Sequence, residues 1–245
     1  MAERRTVVVT GASAGIGAAT ARRLAEAGYA VIGGARRVDR VREALEPLGG
    51  RAIGLDVTDD DSVRGFVAEA GAVDVLINNA GLSLGLAPVA DGDLDDWRTM
   101  YETNVLGVLR LTRALLPSVI ASGDGHVVNV GSIAGFETYP GGAGYTASKH
   151  ALRALTKTLR QELLGEPVRV TEICPGLVET EFSLVRFRGD RERAASVYRG
   201  LEALTGEDIA ECILWALERP PHVNVDEIVV RPRDQATATQ VHRRD

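Results

Sequence analysis

Hydrophobic and polar positions alternate between two patterns along the chain. Short runs rich in β-branched residues predict buried strands, and longer segments with apolar residues at helical spacing predict amphipathic helices. The strands are predicted near residues 6–10, 30–34, 51–55, 73–77, 125–131, 168–174 and 227–230. The helices are predicted near residues 15–27, 38–47, 59–70, 93–121, 144–165 and 206–218. This alternation is typical of an α/β fold in which a doubly wound, seven-stranded parallel sheet carries helices on both faces.

Length and composition limit the number of domains and the kinds of partner. A chain of 245 residues with 45% hydrophobic content can bury one substantial core, so we predict a single domain over residues 1–245. The net charge of −6 argues against a nucleic-acid partner. We find no secretory segment and no apolar run of membrane-spanning length, so we expect a cytoplasmic protein without a membrane partner.

The histidines and cysteines do not indicate a metal site. The four histidines are scattered without the spacing of metal ligands. Cys174 and Cys212 lie in apolar contexts, which favours packed thiols over a disulfide or a metal pair. We therefore predict no metal.

A glycine loop connects the first predicted strand to the first predicted helix. Gly11 suits a tight turn out of the strand, Gly15 lets the backbone approach a pyrophosphate, and Gly17 lets the helix pack close to the sheet. The positive end of the helix dipole and free N–H groups would then meet the phosphate oxygens. Simple turn chemistry is the alternative, but a loop placed between strand and helix so near the N-terminus favours a Rossmann-type nucleotide site.

The end of the second predicted strand distinguishes between the two nicotinamide cofactors. A carboxylate here suits the ribose 2′-hydroxyl of NAD, and an arginine suits the 2′-phosphate of NADP. The chain offers Arg36 and Arg37, and its first acid, Asp39, comes later, inside the next predicted helix. Ala14 adds no further positive charge. NADP is therefore the predicted cofactor; the alternative is that both arginines are solvated loop charges.

Three residues are predicted to meet at one point beyond the sheet. Tyr145 and Lys149 lie four residues apart on one face of a predicted helix, and Ser132 directly follows the strand pattern that ends in HVVNV. A phenol, an ammonium and a hydroxyl on rigid elements suit proton transfer at a carbonyl or alcohol oxygen. An isolated tyrosine–lysine pair is more typical of a surface helix, but the serine and the glycine loop favour the catalytic interpretation.

The pairing of Tyr145 with Lys149 is chemically sensible. A free tyrosine has a pKa of about 10, too high for a base near neutral pH. A positive charge about 4 Å away is worth roughly 4 kcal/mol at an effective dielectric constant of about 20, or about three pKa units. Burial acts in the opposite direction. We therefore expect Lys149 to lower the pKa of Tyr145, by less than the full amount.

With these residues assembled, the sequence resembles the short-chain dehydrogenase/reductase family, in its single-domain branch. The matching segments, in the family's order and spacing, are TGASAGIG (10–17), LDV (55–57), NNAG (78–81), Asn104, Ser132, YTASK (145–149) and PGLVET (175–180). Three further segments look similar to the NADP-dependent 3-hydroxy acid (serine) dehydrogenase subgroup. They are NAGLSLGLAP (79–88), TEFSLVRFRGD (180–190) and VHR (241–243).

The resemblance implies a role for each matching residue. Ser132 is expected to hydrogen-bond the substrate oxygen, Tyr145 to be the acid/base, Lys149 to bind the nicotinamide ribose, and Asn104 to hold a water in a proton relay. Asp56 and Val57 would meet the adenine. The remaining cofactor-binding residues are expected to be Gly11, Ser13, Ala14, Gly15, Ile16, Gly17, Arg36, Arg37, Asn79, Ala80, Gly81, Tyr145, Lys149, Pro175, Gly176, Val178 and Thr180.

Residues 181–205 interrupt the strand–helix rhythm and are the predicted substrate loop. Loops that follow strand ends in such sheets carry specificity. The segment is either a flap over the substrate or an ordinary surface helix. If the substrate is a hydroxy acid, Arg186 or Arg188 is the natural partner of its carboxylate, because a guanidinium can form two hydrogen bonds to it. An apolar side formed by Leu82, Leu84, Phe136 and Tyr139 would instead favour a larger ketone or aldehyde.

The polar tail, residues 231–245, follows the last predicted strand. Members of the family commonly form tetramers, so we expect a homo-oligomer, a tetramer or a dimer, with the tail packed on a neighbour or frayed. The predicted function is an NADP(H)-dependent oxidoreductase acting on a small-molecule alcohol or carbonyl. A cofactor-sensing binding protein is the alternative from another class, although it would not need all of Ser132, Tyr145 and Lys149. A third alternative is an epimerase or dehydratase like those of the longer relatives, which usually add a C-terminal substrate domain.

Overall fold

The computed structural model of the chain describes residues 4–244, so the ends of the predicted domain, residues 1–3 and 245, lie outside the described residues. All seven strands form one parallel sheet in the order β3-β2-β1-β4-β5-β6-β7. The strands are β1 Thr6–Thr10, β2 Ala30–Ala35, β3 Arg51–Gly54, β4 Val75–Asn78, β5 Gly125–Val130, β6 Val168–Pro175 and β7 Glu227–Val230. The predicted Rossmann-type α/β fold, with its doubly wound seven-stranded parallel sheet, is confirmed.

Helices cover both faces of this sheet. They are α1 Gly15–Glu26, α2 Val38–Leu45, α3 Asp60–Ala70, α4 Leu94–Tyr101, α5 Gly107–Ala121, α6 Ala143–Glu162, α7 Phe182–Arg186, α8 Arg191–Ser196 and α9 Gly206–Leu217. The six predicted helices are all present. The two short helices α7 and α8 are additional, and both lie in the predicted substrate loop.

The alternation of side chains along β1 explains why the sheet has a core on each face. Val7 and Val9 pack in a cluster with Leu24 of α1 and Ile213 of α9. Val8 points to the other face, where its cluster includes residues of α3, α5 and α6. All three valines are fully buried, and a central strand with both faces covered is expected to be a continuous apolar run.

The predicted helix 93–121 contains a turn that its sequence pattern did not predict. Between α4 and α5, residues Glu102–Leu106 form one wide π-helical turn. The whole run Leu94–Ala121 is long and apolar enough to cross a membrane by length and composition alone, contrary to our expectation that no such run exists. Its buried residues Leu111 and Leu115 pack on the sheet, as in a core helix.

The tail packs on its own chain, so our alternative of a frayed tail was wrong for residues 231–244, whereas packing on a neighbouring subunit stays a prediction. Gln235 Oε1 accepts a hydrogen bond from the Leu177 amide at 2.8 Å. The Arg243 guanidinium donates to the carbonyl oxygen of Val197 at 3.0 Å and also to that of Arg199. These bonds tie the tail to the substrate loop and to the segment that follows β6.

Candidate active site

A cavity of about 820 Å³ opens at the carboxyl edge of the sheet, where parallel α/β sheets bind their ligands. Most of the predicted site residues line it: Gly11, Ser13, Ala14, Gly15, Ile16, Arg36, Arg37, Asp56, Val57, Asn79, Ala80, Gly81, Ser132, Tyr145, Lys149, Pro175, Gly176, Val178, Thr180 and Arg186. Gly17 and Asn104 lie behind this wall, and Arg188 lies away from it. The structure therefore brings nearly all the predicted residues to one site.

The glycine loop forms the floor of the cavity. Gly11 and Gly15 have φ angles of +68° and +52°, which side chains rarely adopt. A Cβ at Gly17 would collide with Asn79 Nδ2 and with the carbonyl oxygen of Gly11. The close approach that requires Gly17 is therefore to the loop after β4.

Thr10 stabilises this floor through hydrogen bonds, although it was not among the predicted site residues. Its Oγ1 accepts hydrogen bonds from the amides of Asn79 and Ala80, each at 2.9 Å, and its carbonyl oxygen accepts one from Asn79 Nδ2, also at 2.9 Å. Thr10 is the last residue of β1, and Asn79 and Ala80 directly follow β4, so these bonds lock the two central loops together. A hydroxyl at the end of a strand before the glycine loop was the available signal.

The N-terminus of α1 suits a pyrophosphate. Ala14 occupies the N-cap position and provides no side-chain acceptor for the first-turn N–H groups. Ser13, Ala14, Gly15 and Ile16 all line the cavity. Uncapped N–H groups at the positive end of a helix form an anion site, so the residues present fit a dinucleotide cofactor here.

Arg36 and Arg37 reach the same cavity at the end of β2. The Arg37 Nη1 atom lies 2.8 Å from Glu181 Oε2, and Arg40 Nη1 lies 2.9 Å from Glu181 Oε1. Hydrogen bonds and charge from these arginines hold the pKa of Glu181 below its ordinary value, the Arg37 bond being the largest cause. Glu181 was not among the predicted site residues because 144 positions separate it from Arg37.

Ser132, Tyr145 and Lys149 meet on the other side of the cavity. The Ser132 hydroxyl accepts a hydrogen bond from the Ala134 amide at 3.1 Å, which fixes its direction. Lys149 Nζ lies 5.9 Å from the centre of the Tyr145 ring and donates to the Val130 carbonyl oxygen at 2.9 Å. All three residues are almost fully buried, so their charges act in a medium of low dielectric constant.

Burial dominates the acid–base properties of the pair, which corrects our expectation for Tyr145. Burial raises the pKa of Tyr145, while the Ser132 hydroxyl and the Arg186 guanidinium act in the opposite direction. Burial also lowers the pKa of Lys149 to about 8, with Glu172 opposing that shift. Lys149 therefore does not lower the pKa of Tyr145 as expected, because its ammonium is directed at the Val130 carbonyl and burial also disfavours its charged form.

Asn104 is placed by the π-helical turn. Its Oδ1 accepts from the Leu82 amide, and its Nδ2 donates to the Leu82 carbonyl and to Ser148 Oγ, all at 2.9 Å. A Cβ at Gly81 would lie 3.1 Å from Asn104 Oδ1 and 3.7 Å from Lys149 Nζ. A side chain at Gly81 would therefore crowd Asn104, and the relay water assigned to Asn104 stays a prediction.

The two candidate substrate arginines have different surroundings. Arg186 Nε donates to Ser83 Oγ at 3.0 Å, and Nη2 donates to the Tyr139 hydroxyl at 3.1 Å. Its guanidinium carbon lies 5.3 Å from the centre of the Tyr145 ring. Arg188 instead donates to both carboxylate oxygens of Asp96, at 2.7 and 2.8 Å, and points to the surface. The structure thus brings Arg186 to the site and does not bring Arg188.

The predicted apolar side of the cavity is only partly present. Leu82 and Tyr139 line the cavity, and Leu84 packs in the cluster around Tyr145. Phe136 faces elsewhere, with the Arg153 guanidinium 4.8 Å from its ring centre. The tail also lines the cavity, although none of its residues was a predicted site residue: Gln235, Ala238, Thr239, Val241 and Arg243.

One group of side chains within residues 4–244 has the chemistry of metal ligands. The ligand atoms of Glu172, Cys174 and Glu227 lie within 4.8 Å of one another. Arg153 forms an ion pair with Glu227 at 2.7 Å, so a side chain already supplies positive charge there. Burial raises the pKa of Cys174, which keeps its thiol protonated.

The chain matches known proteins over most of its length. A model of the short chain dehydrogenase family matches residues 5–189. An uncharacterised oxidoreductase of Mycobacterium tuberculosis is 59% identical over 237 residues, which cover 97% of this chain and 94% of the relative. The NADP-dependent 3-hydroxy acid dehydrogenase of Schizosaccharomyces pombe is 45% identical over 251 residues, covering 98% of this chain and 97% of the relative.

Solved structures show the same likeness. The closed form of a serine dehydrogenase complexed with NADP+ superimposes with a TM-score of 0.92 at 41% identity. The match covers 98% of this chain and 100% of that one.

Proposed function

The chain belongs to the short-chain dehydrogenase family, and from this premise we propose that it is an NADP(H)-dependent oxidoreductase that interconverts a small 3-hydroxy acid and the corresponding carbonyl compound. When bound, the cofactor accepts or supplies a hydride at carbon 4 of its nicotinamide. The relatives named above that act on hydroxy acids, together with the arginines at the end of β2, support this assignment.

We assign the proton transfer to Tyr145. In the reducing direction its hydroxyl gives a proton to the carbonyl oxygen as the hydride reaches the carbon, and in the oxidising direction the phenolate takes that proton back. Ser132 donates a hydrogen bond to the same oxygen. Lys149 holds the cofactor ribose, and Asn104 holds a water that passes the proton towards solvent.

The position of Arg186 is the observation that favours an acidic substrate. Its guanidinium lies over Tyr145 in the cavity and is held from one side by Ser83 and Tyr139. A guanidinium binds a carboxylate through two parallel hydrogen bonds. A carboxylate bound to Arg186 would place the carbinol carbon of a 3-hydroxy acid, two bonds from the carboxylate carbon, on the side of the cavity where Tyr145 lies.

Comparing Arg186→Met with Arg188→Met tests the substrate class. We expect the first change to lower kcat/KM for 3-hydroxy acids by about 10–100-fold, since a charge-assisted hydrogen bond contributes roughly 1.5–3 kcal/mol. The same change should affect neutral alcohols much less. Arg188→Met removes an equal charge from the same loop outside the cavity and serves as the control. Equal losses on acidic and neutral substrates would contradict the proposal and favour a larger apolar ketone.

We further propose a cytoplasmic homo-oligomer, a tetramer or a dimer. Large apolar side chains are exposed on α4, α5 and α9 and on the edge strand β7: Tyr101, Leu109, Trp215 and Val229. Exposed large apolar side chains are candidates for burial in a subunit interface. Light scattering coupled to gel filtration measures the mass in solution, and a monomer at micromolar concentration would overturn this part.

A further inference from the structure

A carboxylate binds Arg37, one of the two arginines to which we assign the 2′-phosphate, and also binds the neighbouring Arg40. Glu181 places one oxygen 2.8 Å from Arg37 Nη1 and the other 2.9 Å from Arg40 Nη1. Glu181 and Arg37 both line the cavity, as does Arg36. Resting on the proposed use of NADP(H), we propose that Glu181 determines cofactor specificity by competing with the ribose 2′-phosphate for Arg37.

The charges at this corner of the cavity support competition. A phosphate monoester carries a charge of about −1.5 to −2 at pH 7, and it would meet a guanidinium that already binds an anion. The Arg37 guanidinium, with help from Arg40, holds the pKa of Glu181 below its ordinary value, so the carboxylate stays ionised throughout the neutral range. Two anions on one guanidinium repel each other, so each weakens the binding of the other.

The exposure of the pair makes such competition possible. The side chains of Arg37 and Glu181 are 48% and 42% exposed, and exposed ion pairs contribute little to stability. A phosphate can therefore displace the carboxylate without disrupting the fold. In the absence of a 2′-phosphate, Glu181 remains bound to Arg37 and Arg40 and partly neutralises the positive charge that would attract the phosphate.

The position of Glu181 in the chain extends the effect to the substrate loop. Glu181 is the N-cap residue of α7, and Arg186 is the last residue of that helix. The ion pairs of Glu181 thus fasten the start of the substrate loop to the turn that follows β2. A 2′-phosphate bound to Arg37 would break the contact between Arg37 and Glu181 and leave only the contact to Arg40.

Binding of two adenosine fragments to the apo protein tests the proposal without any measurement of turnover. The 2′,5′-bisphosphate of adenosine carries the 2′-phosphate, and adenosine 5′-monophosphate lacks it. We expect Glu181→Gln to increase the ratio of their Kd values, 5′-monophosphate over 2′,5′-bisphosphate, about three- to tenfold, as measured by calorimetry. Glu179→Gln removes the same charge two residues earlier and should leave the ratio unchanged.

A second variant tests whether the effect passes through Arg37. In an Arg37→Met background, Glu181→Gln should leave the ratio unchanged, because the shared guanidinium is gone. A ratio that falls in Glu181→Gln would mean that Glu181 positions Arg37 for the phosphate, and would overturn competition. Equal increases in Glu181→Gln and Glu179→Gln would overturn it as well, since they would reflect bulk charge alone.

The same data separate this proposal from the proposed cofactor. If the wild-type protein and Glu181→Gln both bind the two fragments equally well, the use of NADP(H) fails. If the wild-type protein prefers the 2′,5′-bisphosphate and Glu181→Gln does not change that preference, only the role of Glu181 fails.

Discussion

The floor of the cavity, residues 10–17 and 78–81, and its roof, residues 181–205 and 231–244, are built in different ways. Short backbone approaches and half-buried hydrogen bonds hold the floor, above all those of Thr10. Ion pairs and hydrogen bonds between distant segments hold the roof, such as Arg188 with Asp96 and Arg243 with the Val197 carbonyl. The floor is therefore rigid and suits cofactor binding, whereas the roof tolerates exchange of side chains and suits selection of the substrate.

The largest effect should come from the proton donor, which belongs to neither region. Tyr145→Phe removes only the hydroxyl, so we expect kcat to fall by about 10²–10⁴-fold while the Kd for NADPH changes little. Stopped-flow absorbance and fluorescence titration measure the two quantities. Tyr101→Phe, at an exposed tyrosine on α4, is the matched control. A fall in cofactor affinity as large as the fall in kcat would assign Tyr145 to the floor instead.

The floor should be sensitive to a single methyl group. In Gly17→Ala the new Cβ meets Asn79 and the Gly11 carbonyl, so we expect the free energy of unfolding to fall by about 1–3 kcal/mol. A Cβ at Gly65 on α3 meets nothing within 4 Å. Gly65→Ala should therefore raise stability by up to about 1 kcal/mol through helix propensity. Denaturant unfolding compares the two, and the same sign in both variants would mean that the floor is not closely packed.

Lys149 gives a pH-dependent test at the boundary between floor and roof. Its pKa is about 8 in the folded protein against 10.5 as the ordinary value, so below pH 8 the folded state holds a charge that burial disfavours. From pH 8 to 10.5 the unfolded state binds more protons, and stability must rise with pH. After allowance for the lost bond to Val130, Lys149→Met should be about 1–2 kcal/mol more stable than the wild type at pH 7.

This advantage should fade towards pH 10, and the variant should be inactive at every pH. Unfolding curves at pH 7 and pH 10 measure the difference, and Lys157→Met, at an exposed lysine on the same helix, is the control. A variant less stable than the wild type at pH 7 would show that the ammonium stabilises the fold.

The smallest effect is expected in the roof. Arg243→Ala removes two hydrogen bonds from the tail to the substrate loop, and we expect KM for the substrate to rise about two- to fivefold, as for a loss of roughly 0.5–1 kcal/mol. The Kd for NADPH should stay the same. Arg233→Ala, whose partner is the adjacent Asp234, is the control. A change in the Kd for NADPH with a constant KM for the substrate would contradict the assignment of substrate selection to the roof and cofactor binding to the floor.

The floor was predictable from sequence because its causes are local. Gly11, Gly15 and Gly17 carry their information in spacing, and the strand before them has one recognisable apolar run. The same holds for Tyr145 and Lys149, which one helical turn brings together. Thr10 escaped notice because its partners, Asn79 and Ala80, belong to the loop of another strand.

The roof was harder to predict because tertiary contacts decide it. The sequence offered Arg186 and Arg188 as equal candidates, and only the folded chain shows that Asp96 binds the second. The distance in sequence likewise hid the bond between Glu181 and Arg37. No periodicity could reveal that residues 231–244 return over the cavity, since the tail has almost no regular secondary structure.

The wide turn at Glu102–Leu106 has a consequence for how this helix tolerates length changes. A π-helical turn holds one more residue than an ordinary turn of α-helix. Loss of a single residue there would restore regular geometry and leave the apolar stripes of α4 and α5 in register with the sheet. A deletion would thus be mild for folding, yet it would withdraw Asn104 from Leu82 and Ser148. The extra residue of the π-helical turn is therefore needed to place Asn104, and the packing of α4 and α5 on the sheet does not depend on it.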